Sequence, residues 1–259
     1  MNEFDIQHVV SNWKKAQVHM KIAPNATHRE VLPFYSVRRG TVSFRKCNTR
    51  LTFIMQAKVG SESIHANLLK WNASSVQCPD EYRSHTCGFM FVRNPIDRFV
   101  SGFVEMEWRF RQGRALYGTT DMDDVWTFHK YPLGTRERSI HFLQDLLEFK
   151  WHSVPKALEH RDAFKHVYSM HGQAAHGFKM FGSDMLVGKL ENFDSEWKRI
   201  TSLCPGALIP FDVSMYTHET SRDPMRVKSA MVELTHELHV RRALCHVFAP
   251  DFKSFGYSC

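Results

Sequence analysis

Three short apolar runs along the chain have the length and composition of buried β-strands. They cover residues 51–55, 87–92 and 185–190, and each is followed by polar residues and then by a stretch with helical spacing. In the clearest of these stretches the apolar side chains fall on one helical face, at i, i+3, i+4, i+7 and i+8: Ile96, Phe99, Val100, Phe103 and Val104. Nearly continuous apolar runs are typical of parallel central strands, so the pattern predicts a parallel sheet with helices packed on it.

Further helices are predicted from the same periodicity and from end signals. They begin after Ser61, near residues 139–149 and 155–170, and over residues 194–203. Asp223 and Pro224 are a cap and a first-turn proline, which predict a long helix that runs to about Val247. The aromatic residues of the tail, 249–257, are expected to dock on the core.

Strands that alternate with helices predict a three-layer α/β fold with a P-loop-like parallel sheet flanked by helices. Residues 1–50 are mixed and basic, and no repeat or low-complexity linker interrupts the rest. We therefore expect an N-terminal basic segment over residues 1–50, packed on a single domain over residues 51–259.

The composition is typical of a globular chain, and the basic net charge indicates an anionic ligand. The 259 residues are 43% hydrophobic, which is enough for a packed core, and the formal net charge is +7. A charge of this size is compatible with nucleic acid as well as with a small anion. An evenly spread excess would indicate no more than a basic surface.

Cysteines, sequons and the N-terminus bear on the compartment. The six cysteines contain no Cys-x-x-Cys pair, which gives a zinc ribbon no support, and their even number permits disulfides. Residues 1–21 contain no apolar run long enough for a signal peptide or a membrane span. Two glycosylation sequons, at Asn25 and Asn72, hint at a secretory lumen.

The loop after the first predicted strand has the composition of an anion site. Lys58-Val59-Gly60-Ser61-Glu62-Ser63, hereafter the first loop, leads from a strand into a helix. Amides at a helix start and the helix dipole favour an anion there, and Lys58 adds a full charge. In a Walker A loop the lysine follows the glycine, whereas Lys58 precedes Gly60, so a metal-dependent nucleotide site is less favoured.

The second predicted strand leads into a similar segment. Residues 93–101, hereafter the second segment, read Arg-Asn-Pro-Ile-Asp-Arg-Phe-Val-Ser. Arg93 ends the strand, at the sheet edge where ligands of open α/β sheets bind. Arginine can hold a phosphate with two hydrogen bonds, and Ser101 lies off the apolar helix face. Two such sites in one unit predict a ligand with phosphates at both ends.

Both segments resemble motifs of the membrane-type carbohydrate (Golgi) sulfotransferase family. Residues 53–63 resemble its 5′-phosphosulfate loop, Pro-Lys-x-Gly-Ser/Cys-Thr-Ser, and residues 91–101 closely resemble its 3′-phosphate motif. Weaker similarities follow in the same order at residues 187–192 and 251–257. The resemblance spans roughly residues 51–257 and is most specific at the second segment.

The resemblance implies a sulfotransferase fold and transfer of sulfonate from 3′-phosphoadenosine 5′-phosphosulfate (PAPS) to a hydroxyl, with a carbohydrate as the favoured acceptor and no metal. Lys58 would neutralise the bridging oxygen as the sulfur–oxygen bond breaks. The 5′-phosphate would be held by the first loop, and the 3′-phosphate by Arg93 and Ser101. The first-loop residues of this predicted cofactor site are Lys58, Gly60, Ser61, Glu62 and Ser63.

Two departures from the family pattern concern the donor side. Ala57 replaces the usual proline, and Glu62 stands where threonine is common. If Glu62 points outward, its backbone amide alone serves the donor and nothing is lost. If it points inward, it places a negative charge beside the anion.

The general base has no single clear candidate. The family places it between the two motifs, where this chain offers His85 and, nearly as well, Glu81. We expect His85, because imidazole exchanges protons near neutral pH. His171, in a stretch that faintly resembles the family's His-Trp-x-Pro-Gln, is a second candidate.

Other functions and partners remain open at this point. A nucleotide-dependent kinase predicts Mg²⁺-dependent turnover, and a non-catalytic polyanion-binding protein predicts salt-sensitive binding that is indifferent to Lys58. His236 and His239 are spaced i, i+3 rather than as in His-Glu-x-x-His, which does not favour a metal site. Arginines near Trp108 could line a groove for an acidic glycan: Arg109, Arg111 and Arg114.

We expect a glycan or small-alcohol acceptor and no nucleic acid partner. Lumenal relatives carry an N-terminal anchor that this sequence lacks. Membrane association is expected only if an anchor is missing from this chain. The expected location is the Golgi lumen if the chain is a truncated lumenal domain, and the cytoplasm otherwise.

Overall fold

A computed structural model describes residues 41–46, 49–56, 58–73, 85–111, 127–147, 167, 170–204, 211–212 and 227–259. The strands are β1 (Thr41–Lys46), β2 (Thr49–Ile54), β3 (His85–Val92) and β4 (Leu186–Lys189). The helices are α1 (Ser61–Ala73), α2 (Pro95–Arg111), α3 (Arg136–Leu147), α4 (Met170–Phe181), α5 (Phe193–Leu203), α6 (Val227–His236), α7 (Leu238–Val247) and α8 (Ala249–Phe255). They belong to two compact units. The sheet unit comprises the described residues of 41–94 and 170–212, and the helical unit those of 95–167 and 227–259.

The sheet unit is built on four strands in the order β1-β2-β3-β4. β1 and β2 form an antiparallel hairpin, in which Thr41 pairs with Ile54 and Lys46 with Thr49. β2, β3 and β4 are parallel. The three apolar runs therefore form adjacent parallel strands, as predicted. The hairpin crosses the boundary that we expected between residues 50 and 51, so the segment before that boundary contributes a strand.

Each face of this sheet packs against a helix of the same unit. On one face, Phe89 and Phe91 contact the ring of Trp197 in α5. On the other face, Gly88 lies so close to α4 that a Cβ there would be 2.4 Å from the Phe181 ring. Helices thus cover both faces of a mostly parallel sheet, which confirms the predicted α/β fold class.

Two disulfides are present among the described cysteines. Cys87 of β3 is bonded to Cys204, which follows α5, and Cys245 of α7 is bonded to Cys259. The first bond ties the central strand to a helix on its face. Cys47 and Cys78 lie outside the described residues.

The helical unit has its own aromatic core and two buried polar clusters. Phe142 of α3 packs against Phe99 and Phe103 of α2, on the apolar face that the sequence predicted. Glu107 of α2 and Arg138 of α3 form a buried, two-bond ion pair at 2.6 and 2.7 Å. The Asp145 carboxylate, fully buried, accepts the amide hydrogens of Thr127 and Phe128 at 2.6 and 2.9 Å.

The C-terminal helix differs from its prediction. The single helix expected from Asp223 to about Val247 is wrong, because Glu237 has an extended backbone with ψ at 126° and separates α6 from α7. Its side chain accepts hydrogen bonds from Arg136 of α3 at 2.5 and 3.1 Å. A tertiary contact therefore coincides with the interruption. The aromatic tail docks as expected, with Phe252 and Phe255 of α8 buried.

Two further helices complete the comparison with the sequence. α3 matches the helix predicted near residues 139–149, whereas the helix predicted over 155–170 lies almost wholly outside the described residues. α4 was not predicted.

No helix in the described part of the chain is long and apolar enough to span a membrane.

Candidate functional site

The first loop leaves β2 and enters α1 through a tight turn. Lys58 and Gly60 both have left-handed backbone conformations, with φ at 65° and 72°. This conformation is uncommon for lysine and costs free energy, so its occurrence is a reason to suspect a functional role. Val59, between them, is fully buried and fixes the turn to the core.

The start of α1 presents backbone amides from residues 61–63. The first intrahelical hydrogen bond runs from the Ile64 amide to the Gly60 carbonyl at 3.0 Å, so the preceding amides have no acceptor within the helix. Such amides attract anions. The side chain of Glu62 is exposed.

The two serines of the first loop are buried and help to shape it. The Ser61 hydroxyl donates to the Gln56 carbonyl, and the Ser63 carbonyl accepts from the Asn67 side chain at 3.0 Å. Ser61 is 9% exposed and Ser63 7% exposed. We expected their hydroxyls to serve the phosphate, but the Ser61 hydroxyl is already engaged in closing the loop.

A buried glutamine lies directly below the first loop. Gln56 is 1% exposed, and its Nε2 contacts the sulfur of Met90 at 3.3 Å. Its Oε1 is buried without a hydrogen-bond partner. A lost hydrogen bond of this kind costs about 1–3 kcal/mol.

Arg93 lies at the same edge of the sheet. β2 and β3 are parallel, so the first loop and Arg93 both follow the carboxyl ends of neighbouring strands. Arg93 is half-buried. Lys189, at the carboxyl end of β4, pairs in register with Val92, which precedes Arg93, and so adds a cation to this edge. Ser101, the other predicted 3′-phosphate ligand, is half-buried on α2 of the helical unit.

The turn after β4, residues 190–192, contacts both motifs. A Cβ on Gly60 would lie 3.3 Å from Cδ1 of Leu190, so the first loop packs directly against this turn. Glu191 Oε1 accepts the amide hydrogen of Asn94 at 2.5 Å. Sequence reasoning assigned Glu191 no role, although its position just after a predicted parallel strand was a usable signal.

His85 does not lie at this edge. Its backbone begins β3 and pairs with Thr49, at the amino ends of the strands. His85 and Val92 are the first and last of the eight residues of β3, so seven steps of 3.3 Å separate them by about 23 Å. The structure therefore does not bring His85 together with Arg93 or the first loop. Glu81 lies outside the described residues.

His171 lies on the side of the sheet where both motifs are. Near the end of α4, Phe181 packs on Gly88, which is level with Thr52 of β2. One turn earlier, Gly177 packs on Ile54, at the carboxyl end of β2. α4 therefore runs opposite to the strands, and its exposed residue His171 is about 9 Å further towards the carboxyl edge at 1.5 Å per residue.

Two further features considered from the sequence are a metal site and a groove lined by arginines. Among the described residues no group of three or more His, Cys, Asp or Glu side chains could hold a metal ion. Arg114 lies outside the described residues, as do the side chains of Arg109 and Arg111.

Comparisons with known proteins identify the family. A scan against protein-family models matches the sulfotransferase family over residues 44–258. A search of the curated proteins found no match, and a search of the solved structures found none either. The family match covers most of the chain, including the first loop, the second segment and the turn after β4. The chain therefore belongs to the sulfotransferase family.

Proposed function

We propose that this sulfotransferase takes its sulfonate from PAPS and transfers it to a hydroxyl of a carbohydrate or other alcohol. The observation that carries the proposal is the juxtaposition of two anion-binding motifs at one sheet edge. The first loop and Arg93 follow adjacent parallel strands, and residues 190–192 contact the first loop at Gly60 and the second segment at Asn94. A donor with a 5′-phosphosulfate and a 3′-phosphate has one anionic group for each.

The first loop is suited to the phosphosulfate end. In the proposed reaction the acceptor oxygen attacks sulfur in line, the sulfur–oxygen bond to the 5′-phosphate breaks, and that phosphate leaves with the electron pair. Amides of residues 60–63 would bind this phosphate, and Lys58 would neutralise its bridging oxygen. Catalysis of this type depends on positioning and on charge stabilisation. Arg93 would bind the 3′-phosphate, and Ser101 remains a predicted ligand of the same group.

We further propose His171 as the group that takes the acceptor's proton. Its place at the start of α4 is on the carboxyl side of the sheet, whereas His85 is at the opposite end of β3. Imidazole is suited to proton transfer near neutral pH. His171→Ala should lower kcat while leaving nucleotide affinity within twofold, because the donor phosphates do not need it.

Binding of the product nucleotide tests the donor assignment. Calorimetry with 3′-phosphoadenosine 5′-phosphate (PAP) should give 1:1 binding that Arg93→Ala abolishes. Arg50→Ala is the matched control, because Arg50 is exposed on β2 near the amino end of the strand and loses the same charge. Absence of PAP binding to the wild type would refute the proposed donor.

Transfer of radiolabelled sulfonate tests the reaction and the acceptor. With ³⁵S-labelled PAPS and a panel of glycans and small alcohols, we expect metal-independent labelling that Lys58→Ala removes. Mg²⁺-dependent turnover of ATP would indicate a kinase instead. Salt-sensitive binding to polyanions that is unchanged in Lys58→Ala would indicate a non-catalytic protein.

We propose an oxidising lumen, such as the Golgi, as the site of action. Two disulfides among the described cysteines support this, because such bonds persist in secretory compartments and are rare in the cytosol. Asn72, in one of the two sequons, is exposed at the end of α1. In protein extracted directly into denaturant and alkylating reagent, Cys87 and Cys204 should resist alkylation. Full alkylation of both would place the protein in a reducing compartment.

A further inference from the structure

The turn after β4 is a common support for the two ends of the proposed donor site. Leu190 packs against Gly60 of the first loop, and Glu191, the next residue, bonds to Asn94 of the second segment. Both contacts come from one short 3₁₀ turn, Leu190–Asn192, that follows directly from a central strand. One element of the sheet unit therefore contacts both motifs and sets the spacing between them.

Glu191 is an unexpected residue at an edge that carries three cations. A carboxylate at this edge would repel an anionic donor. Its Oε1 accepts the hydrogen of a backbone amide, that of Asn94, at 2.5 Å. The next residue is Pro95, which has no amide hydrogen, so the Asn94 amide is the last donor before α2 begins at Pro95.

The bond to Asn94 acts on the backbone beside Arg93. Arg93 and Asn94 share a peptide unit, and a hydrogen bond to its N–H restricts the direction in which the arginine leaves the strand. Hydrogen bonds with an ionised acceptor are shorter and stronger than neutral ones. Because Glu191 is exposed and accepts this backbone amide hydrogen, it fits a role in orientation more closely than a role in the core.

We propose that Glu191 is a positioning residue for recognition of the 3′-phosphate. It accepts the Asn94 amide, holds the Arg93 backbone in one orientation, and thereby directs the guanidinium to the 3′-phosphate. The proposal rests on the proposed function, and it assigns Glu191 no contact with the donor itself.

The test compares two ligands and three variants. PAP has the 3′-phosphate and adenosine 5′-monophosphate does not, and both affinities are measured by competition titration. Glu191→Ala should weaken PAP binding at least tenfold, in keeping with the loss of a charge-assisted bond, and change the monophosphate less than twofold. Glu191→Gln, whose amide oxygen can still accept the Asn94 hydrogen, should restore PAP affinity to within about threefold.

Asp194→Ala is the control for charge. Asp194 is exposed in the first turn of α5 and loses the same negative charge three residues further along. Its PAP affinity should stay within twofold of the wild type. The general field cannot weaken PAP binding in either variant, because loss of a negative charge favours an anion. A loss of PAP affinity in Asp194→Ala equal to that in Glu191→Ala would therefore indicate general damage to this region of the fold and would overturn the positioning role.

The outcomes separate this proposal from the one that it rests on. If the wild type binds no PAP, the proposed donor fails and the role of Glu191 fails with it. If the wild type binds PAP but Glu191→Ala binds it equally well, or loses both ligands to the same extent, the donor assignment stands and the positioning role is refuted. Loss of PAP affinity in Glu191→Gln as large as in Glu191→Ala would also refute it.

Discussion

Removing the disulfide between Cys87 and Cys204 should destabilise the protein more than removing the one between Cys245 and Cys259. The two bonds span 117 and 14 residues of sequence. With these loop lengths, the chain-entropy relation gives about 4.8 and about 3.0 kcal/mol at 25 °C. The expected difference of about 2 kcal/mol is roughly a 20- to 30-fold difference in the folding equilibrium.

The assay is urea unfolding of two double variants, Cys87→Ala/Cys204→Ala and Cys245→Ala/Cys259→Ala, without reductant. Intrinsic fluorescence reports the transition, since Trp197 packs on the sheet. The matched control is the wild type measured in reductant. Its free energy of unfolding should fall below that of either variant in oxidising buffer, because it has lost both constraints.

Two results would refute this reasoning. Equal losses in the two variants would show that loop length does not set the effect. A gap between wild type and Cys87→Ala/Cys204→Ala that persists in reductant would assign the loss to packing, since Cys204 is 1% exposed and its sulfur fills part of the core.

Three further predictions follow from individual residues. Glu62→Gln should tighten PAP binding about two- to fivefold in a low-salt titration, because it removes an exposed negative charge from the anion-binding turn. Gln56→Leu should raise the free energy of unfolding by about 1 kcal/mol in urea melts, because it removes a buried oxygen without a partner. Asp145→Ala should lower it by about 3 kcal/mol or more in the same melts, since the buried amide of Phe128 and the part-buried amide of Thr127 lose their acceptor. No change in Asp145→Ala, or a loss of stability in Gln56→Leu, would contradict these assignments.

The central strands were predictable because their signal is local. Residues 51–55 are apolar except for Thr52, residues 87–92 contain no polar residue, and β2 and β3 include most of both runs. β1 was missed because Thr41–Lys46 contains two apolar residues, Val42 and Phe44, among polar ones. Its stability comes from pairing with β2 along its whole length, which a window on one segment cannot register.

The helices that were missed or misjudged depend on tertiary contacts. α4 is rich in glycine and histidine, and it approaches the sheet through Gly177, where a Cβ would lie 3.0 Å from Ile54. The break at Glu237 coincides with its bonds to Arg136, a residue 101 positions earlier. Neither feature can be detected in the local periodicity of the sequence.

The same distinction between local and long-range features applies to the candidate site. The local structure of the first loop and of the second segment could be predicted from sequence, because each is a strand, a turn and a helix start within a dozen residues. The relative places of His85 and His171 could not, since they depend on strand register and on the direction of α4. The position of Glu191 after a strand was visible in the sequence, but its bond to Asn94 was not, because that bond joins residues 97 positions apart.

The buried side chain of Val59 has a consequence for the affinity of the first loop. Fixing the backbone of one residue costs about 1–2 kcal/mol in conformational entropy, or about 3–6 kcal/mol for residues 58–60 together. Because Val59 is fully enclosed by the core, folding has met this cost before any ligand arrives. A loop that had to become ordered on binding would lose roughly a hundredfold or more in affinity. The affinity that we propose for this loop thus depends in part on a hydrophobic residue whose side chain is buried in the core.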